Sequence, residues 1–229
     1  DMGEQYGRQE TRNEPKILLE FVSANPTGPL HVGHGRHGAY GTTLGNLLDA
    51  AGYSVDREYY VNDAGRQIDI LTLSVWLRFL ASIGRTVEFP ASGYQGDYIR
   101  HIAASLQPAI DGELAPPAAT ALKGEGLNAD ADLDGLIADG RAILSETVWR
   151  AISEHTLNQI TMDIRQDLTE FGVNFDVWFS ERSLLSSGAM ERALAALKQN
   201  GHVYESSGAT WFRSTNFGDE KDRVLVREN

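Results

Sequence analysis

The chain has 229 residues, of which 41% are hydrophobic and 7 are prolines, a composition typical of a folded globular protein. It has no cysteine and a net charge of −12, which exclude disulfides and thiolate metal sites and disfavour a nonspecific nucleic-acid binder. No segment approaches the roughly 20 apolar residues of a membrane span, and the polar N-terminus lacks the apolar core of a signal peptide. We therefore expect a cytoplasmic protein without a membrane partner.

The N-terminal part of the chain predicts a βαβ unit. An apolar run at residues 16–22 is typical of a buried parallel strand, and SANPTGPL then forces a loop. Apolar residues at helical spacing follow from about Gly33 to Ala51, with Gly52 as the stop. Residues 54–61 predict a second strand, so the two strands are expected to be parallel and joined by a right-handed crossover.

The middle of the chain predicts two helices separated by an insertion. Residues 62–67 open a helical stretch that continues through Leu80. Residues 84–135 are rich in Gly, Pro, Ala and Asp, with one helical patch near 98–106, and are predicted to be inserted. A long amphipathic helix follows and stops at Gly172. The buried face of this helix is predicted to comprise Val148, Ile152, Ile160, Ile164, Leu168 and Phe171.

The C-terminal part predicts a strand at 175–181 and a helix from a Ser187 cap to Gln199, with Gly201 at its C′ position. A hairpin around Ser206, Ser207 and Gly208 and a last strand at 223–228 follow. Because a doubly wound fold needs further strands beyond its crevice, we expect this chain to be a fragment.

Residues 25–38, NPTGPLHVGHGRHG, contain two nucleotide-binding signatures that share letters. Gly33, Gly35 and Gly38 spell the dinucleotide fingerprint G-x-G-x-x-G, with Glu58 about where the ribose-binding acid would lie. In that motif the first glycine directly follows the strand, whereas here ten residues with two prolines intervene. An NAD-type oxidoreductase is therefore disfavoured but stays an alternative.

His31, Gly33 and His34 spell the second signature, H-x-G-H. Two histidines three residues apart at a helix start can present both rings on one side, beside the N–H donors and the positive end of the helix dipole. Such donors suit the charge that develops on a polyphosphate, and Gly33 leaves room for a flat base. A metal site is disfavoured because no third ligand is evident.

Three polar residues, Glu20, Ser23 and Asn25, lie where the first predicted strand ends. A carboxylate at the end of a buried strand is costly without a cationic partner, which is either a structural arginine or a ligand. With short hydrogen-bonding groups beside it, the acid indicates a pocket for a positively charged amino acid next to the triphosphate site.

These residues resemble bacterial arginyl-tRNA synthetases, which are class I aminoacyl-tRNA synthetases. The similarity lies in LLEFVSANPTGPLHVGHGRHGAYGTTLGNLLDAAGY, REYYVNDAGRQID, FDVWFSE and GDEKDRVLVRE, and HVGH is similar to the HIGH signature of the class. The resemblance implies an α/β fold, the first half of a Rossmann-like parallel sheet with an inserted segment. It also implies that residues 15–229 are part of a catalytic domain, and residues 1–14 a linker from a missing N-terminal domain.

The resemblance implies that ATP and L-arginine form arginyl-adenylate and that arginine passes to tRNA(Arg). His31 and His34 would bind ATP and stabilise the pentacovalent phosphate, with Gly33 admitting the adenine and Gly35 in the ATP site. Mg²⁺ would arrive with ATP, without a protein-bound metal, and the protein would be a monomer.

The same resemblance assigns the arginine site. Glu20 would hold the guanidinium or amino group, while Ser23 and Asn25 position the backbone of the substrate. The supporting residues Asp63, Gly65 and Gln67 match the family element D-x-G-x-Q.

The chain also departs from the family pattern. Many members carry a lysine at the position of Gly28, and the KMSKS-type loop, the second half-sheet and the anticodon-binding domain have no counterpart here. We therefore expect the fragment to be inactive alone; a noncatalytic synthetase-like module is the remaining alternative.

Overall fold

The computed structural model describes residue 3 and residues 6–9, 16–106 and 133–227. The chain divides into two compact units, Asp1–Ser180 and Glu181–Asn229. The first unit contains a parallel sheet with helices and the second contains an antiparallel sheet, so each unit has its own sheet.

The first unit is built on the predicted βαβ arrangement. Strand β1 (Ile17–Glu20) pairs in parallel with β2 (Val55–Val61), and helix α1 (Val32–Ala50) lies between them in sequence. Strand β3 (Val177–Ser180) joins the other edge of β2, also in parallel, which gives the order β1-β2-β3. The predicted α/β fold with a parallel sheet is therefore confirmed.

Strand β1 is shorter than the run of apolar residues that predicted it. The chain leaves the strand because Val22 and Ser23 adopt left-handed backbone conformations, with φ of 65° and 41°. The residues that follow Glu20 therefore form the loop that leads to α1.

Helices α2 (Arg66–Ser82), α3 (Asp97–Ser105) and α4 (Leu133–Glu170) supply most of the core of the first unit. Helix α2 is buried on most sides, and two of its polar side chains, Thr72 and Ser74, donate to the carbonyls of Ile68 and Ile70. These bonds satisfy hydroxyls that would be costly to bury unpaired. The largest fully buried side chains of the three helices include Trp76, Leu71, Leu77, Ile99, Trp149 and Ile152.

The predicted buried face of α4 is confirmed for Val148, Ile152, Ile160, Ile164 and Leu168. It is wrong for Phe171, which is 59% exposed. The helix ends at Glu170 and Gly172 turns the chain with φ of 81°, so Phe171 no longer continues the helical face.

The predicted insertion at 84–135 is described only in part. Residues 84–96 form neither helix nor strand, and α3 occupies the predicted helical patch. Residues 107–132 lie outside the described residues, whereas α4 begins at Leu133, inside the predicted insertion.

The second unit begins with helices α5 (Arg182–Ser186) and α6 (Ala189–Gln199). The predicted Ser187 cap is wrong, because Ser187 closes the unpredicted helix α5 and α6 starts from Gly188, whose φ is 67°. At the other end of α6, the prediction for Gly201 agrees with its φ of 72°, directly after the cap Asn200.

Three short strands complete this unit, in the antiparallel order β4-β5-β6. They are β4 (Val203–Ser206), β5 (Ala209–Phe212) and β6 (Arg223–Val226), with a 3₁₀ helix at Ser214–Phe217. The predicted hairpin is confirmed, with Ser207 and Gly208 at φ of 52° and 73° in the turn. The predicted last strand is present and extends this antiparallel sheet.

Candidate functional site

Polar side chains lie at the carboxyl ends of all three parallel strands. Glu20 is the last residue of β1, Asp63 follows β2, and Ser180 is the last residue of β3. The Ser180 hydroxyl donates to Asp63 Oδ2 at 2.6 Å. Ligands of doubly wound α/β proteins bind at this edge of the sheet, so the candidate site lies here.

His31 and His34 close the N-terminus of α1, as the prediction of a helix start required. His31 is the N-cap residue, and its Nδ1 accepts the N–H of Gly33 at 3.1 Å. In return, Nδ1 of His34 accepts the N–H of His31 at 3.2 Å, which completes a reciprocal capping box. The two rings stack with centroids 3.7 Å apart.

This cap fixes which ring nitrogens can donate. A nitrogen that accepts a backbone N–H carries no proton, so in each neutral ring the proton sits on Nε2. Burial lowers the pKa of His34, and the neighbouring His31 and His37 lower it further, so this ring is neutral at physiological pH. The start of α1 therefore carries two stacked imidazoles with Nε2–H donors.

Gly33 is required by this cap for steric reasons. A Cβ on Gly33 would lie 2.9 Å from Cε1 and 3.0 Å from Nδ1 of His31, closer than such atoms normally approach. The space above Gly33, predicted to admit a flat base, holds the His31 ring in this structure. Gly35 has a more open surrounding, with only the Phe171 ring at 4.0 Å from its added Cβ.

The loop between β1 and α1 is hydrogen-bonded to β2, first through the N–H of Phe21, which donates to the carbonyl of Glu58 at 3.3 Å. The N–H of Tyr60 donates to Ser23 Oγ at 3.0 Å, and the Tyr59 hydroxyl donates to the carbonyl of Ala24 at 2.9 Å. Burial raises the pKa of Tyr59 to about 12, so its hydroxyl stays a donor. Ser23 is therefore held beside the end of β2, with its own hydroxyl proton available for another acceptor.

Asn25 contacts the D-x-G-x-Q segment, residues 63–67. Its Nδ2 donates to Gln67 Oε1 at 3.0 Å, which joins the loop to the first turn of α2. Gly65 is the N-cap of α2 with φ of 86°, a conformation that favours glycine. The predicted residues Asn25 and Gln67 are thus brought together.

Glu20 is exposed at the end of β1, and Leu18 of the same strand is 60% exposed, so the prediction of a buried strand is wrong and the carboxylate needs no partner to offset desolvation. Its partner across the sheet is Glu58, and among the described residues no lysine or arginine pairs with Glu20. The nearby structural arginine, Arg57, bonds instead to Asp49 at 2.6 Å. The alternative in which Glu20 serves a structural arginine therefore gains no support from the described residues.

Two residues near the site were not among the predicted site residues, although Ser180 lies in the quoted segment FDVWFSE. Ser180 was hidden because its contact with Asp63 spans 117 positions, although it ends a predicted strand. Tyr98 of α3 donates its hydroxyl to the carbonyl of Thr27 at 2.6 Å, a contact over 71 positions. In the part of the chain that the structure describes, no group of three or more His, Asp or Glu could hold a metal ion, and no helix could span a membrane.

Comparisons with known proteins agree with this geometry. Residues 2–98 match the family model of the catalytic domain of class I tRNA synthetases of the arginine type. Arginine–tRNA ligases from Legionella pneumophila (strain Corby) and Thioalkalivibrio sulfidiphilus are 48% and 50% identical over 99% and 100% of this chain, which covers 40% of each relative. A solved structure from Campylobacter jejuni, described as an arginyl-tRNA synthetase, is 34% identical with a TM-score of 0.73, over 98% of this chain and 43% of that one.

A second solved structure supports the fold alone. The arginyl-tRNA synthetase of Thermus thermophilus is 22% identical with a TM-score of 0.61, over 96% of this chain and 34% of that one. The fold and these matches together define a class I aminoacyl-tRNA synthetase. Within that class the chain belongs to the arginine–tRNA ligases, and it spans about 40% of the length of the curated relatives it matches.

Proposed function

We propose that this chain provides part of the catalytic site of an arginine–tRNA ligase, where ATP and L-arginine react to form arginyl-adenylate. The complete ligase then transfers arginine to tRNA(Arg). The observation that carries the proposal is the pair of capped histidines at the start of α1, which orients two ring donors at the end of the loop that follows β1.

ATP is proposed to bind at the start of α1. The Nε2–H groups of His31 and His34 donate to phosphate oxygens, and the positive end of the helix dipole adds to their attraction. When the arginine carboxylate attacks the α-phosphorus and the bond to pyrophosphate breaks, charge grows on these oxygens. Donors that are already oriented stabilise that charge without reorganising. Gly35 lies in the next turn, where it leaves space beside the nucleotide.

The amino acid is proposed to bind at the end of β1. The exposed Glu20 carboxylate pairs with the guanidinium or amino group of arginine. Ser23 and Asn25 contact the substrate backbone from the loop, and Gln67 supports that loop through its bond to Asn25. Asp63 bonds to Ser180 at the end of β3, and Gly65 begins α2, so both support the surrounding edge of the sheet. An anionic pocket beside a phosphate site selects a cationic amino acid.

Several further properties belong to this proposal. Mg²⁺ comes with the phosphates of ATP and would shield their charge there. Residues 15–229 belong to one catalytic region with 84–135 as its insertion, and residues 1–14 precede it as a linker. The protein is cytoplasmic and monomeric.

The arginine site is tested by Glu20→Gln in a complete arginine–tRNA ligase that carries these 229 residues. The neutral amide keeps the shape of the side chain but cannot pair with a cation, so the KM for arginine should rise at least about tenfold, a loss of about 1.4 kcal/mol or more. The KM for ATP should change less than about twofold. Arginine-dependent exchange of pyrophosphate into ATP, with tRNA present, measures both constants.

Asp56→Asn is the matched control for this substitution. It removes the same charge near the opposite end of β2, where Asp56 pairs only with the exposed side chain of Lys16. An exposed pair of this kind contributes little, so neither KM should change. An arginine KM that is equal in Glu20→Gln and in the control would show that Glu20 does not bind the substrate.

A further inference from the structure

Tyr98 lies on α3, outside the βαβ unit, yet it contacts the loop that leads into the histidines. Its hydroxyl donates to the carbonyl of Thr27 at 2.6 Å, and its ring packs against the core of the first unit. Burial raises the pKa of this hydroxyl to about 12, which keeps it protonated as a donor. This bond ties the insertion to the loop four residues before His31.

The ring of Tyr98 fits between two residues that lack side chains. A Cβ on Gly28 would lie 3.1 Å from the hydroxyl oxygen and 3.3 Å from Cζ, and one on Gly96 would lie 2.4 Å from Cε1. A side chain at Gly96 must therefore displace the ring, whereas one at Gly28 requires the ring to shift by a few tenths of an ångström. Gly28 is the position at which many arginyl-tRNA synthetases carry a lysine, according to the resemblance. In this chain the Tyr98 ring fills the adjoining space.

A displacement of Thr27 would also displace the histidines, because the loop between them is short and restrained. Pro26 and Pro29 have fixed φ angles, so the segment between them has few ways to absorb a displacement. Leu30, the next residue, packs against the core, and His31 then caps α1. Asn25 accepts the N–H of Thr27 at 2.8 Å, but its side chain has a second attachment, through Gln67.

We infer that Tyr98 is a positioning residue for adenylate formation, because it holds the loop at Thr27 and Gly28 and thereby fixes where the His31 and His34 donors meet the phosphates. This role rests on the proposed function. Through this contact with the loop, α3 contributes to catalysis. Tyr98 itself does not touch the substrate.

The test is Tyr98→Phe in a complete arginine–tRNA ligase that carries this chain. The substitution removes only the hydrogen bond to Thr27. The kcat of arginine-dependent pyrophosphate exchange should fall about fivefold to tenfold, because the loop then holds the His31 and His34 donors less firmly at the phosphates. The KM for arginine should change less than about twofold, because Glu20 lies on β1 and the Asn25 side chain keeps its bond to Gln67. Unchanged kcat would overturn the inference.

Tyr204→Phe is the matched control. It removes a tyrosine hydroxyl bond of 3.0 Å, to Asp222, in the Glu181–Asn229 unit. Both variants should lose a similar, small amount of thermal stability, but only Tyr98→Phe should lose kcat. An equal kcat in the two variants would reduce Tyr98 to a structural residue.

A second substitution tests the same contact from its other side. Gly28→Ala places a methyl group against the Tyr98 hydroxyl and should also lower kcat several-fold. Both changes act on one contact, so their effects should not multiply. The kcat of the double variant should lie within about twofold of the kcat of the slower single variant. Losses that multiply would show that the two residues act separately and would overturn the inference.

Amide hydrogen exchange on the 229-residue chain gives a readout that does not depend on activity. The N–H groups of His31 and Gly33 are bonded in the cap, and they should exchange faster in Tyr98→Phe than in the parent chain or in Tyr204→Phe. Unchanged exchange overturns the inference. A complete ligase without arginine-dependent exchange before any substitution would instead reject the proposed function, while amide exchange still decides whether Tyr98 holds the loop.

Discussion

His34 uses one ring nitrogen for the helix and leaves the other for a ligand. Replacing it by glutamine separates these roles, because an amide oxygen at this position of a capping box can still accept the His31 N–H. We predict that His34→Gln and His34→Ala both lower kcat by about 10²- to 10³-fold, the usual loss of one transition-state donor. Only the alanine variant should also lose about 1 kcal/mol of stability, measured by denaturant unfolding.

The pH dependence of stability provides the control for this substitution. The folded pKa of His34 lies below its ordinary value of 6.5, mainly because of burial. As the pH falls through 6.5 the unfolded chain takes up the proton first, so stability is lost between 6.5 and the lowered folded pKa. His34→Gln should lose less stability than the parent chain over that interval, and identical pH profiles would contradict the lowered pKa of His34.

At the scale of elements, the break inside α4 offers a clean prediction. Ser145 interrupts the helix with φ of 66° and ψ of 154°, and its Oγ accepts the Val148 N–H at 3.5 Å, which caps the following segment. Ser145→Gly should stabilise the chain by about 0.5 to 1 kcal/mol, since glycine adopts this backbone without strain and loses only a few tenths in capping. Ser145→Ala should destabilise it by about 1 kcal/mol, because it keeps the Cβ and loses the cap. Equal midpoints of urea unfolding for the two variants would contradict this account.

What could be predicted at this scale was local in sequence. The spacing of Val148, Ile152 and Ile160 predicts one buried face of a helix, and the structure confirms it. The break at Ser145 could not be predicted, because a serine with positive φ is imposed by tertiary packing and leaves no local pattern. The Ser187 cap was wrong for a related reason, since α5 is too short to leave a periodic signal of its own.

The site was predictable to the same extent. The positions of Glu20 at a strand end and of the two histidines at a helix start were predicted correctly, because each coincides with a change in the local sequence pattern. The attachments of the loop to Tyr59 and Tyr98 depend on which strands and helices become neighbours, and residues 35 and 71 positions away carry no motif. The reciprocal histidine cap was also missed, since it depends on ring orientation as well as on spacing.

At the scale of the whole molecule, charge limits where an RNA partner can lie. Of the −12 net charge, a large part comes from Glu88–Asp139, which holds nine acidic residues and only two basic ones. Phosphate groups repel such a segment within roughly a Debye length of 10 Å. The basic contacts that hold tRNA are therefore expected on other parts of a complete ligase, and the segment is expected to face away from the bound tRNA.

This expectation is tested by neutralising three acids of the segment, Asp130, Asp132 and Asp139, to asparagine in a complete ligase that carries this chain. If the segment faces away, the Kd for tRNA(Arg) at moderate salt should change less than about twofold, whereas removing three charges beside phosphates would tighten binding several-fold and alter its salt dependence. Hydroxyl-radical footprinting of the protein should likewise show no tRNA-dependent protection between Glu88 and Asp139, with a noncognate tRNA as the control. Protection by the cognate tRNA alone would place this acidic segment at the interface, and the repulsion would then have to be offset by basic residues outside the segment.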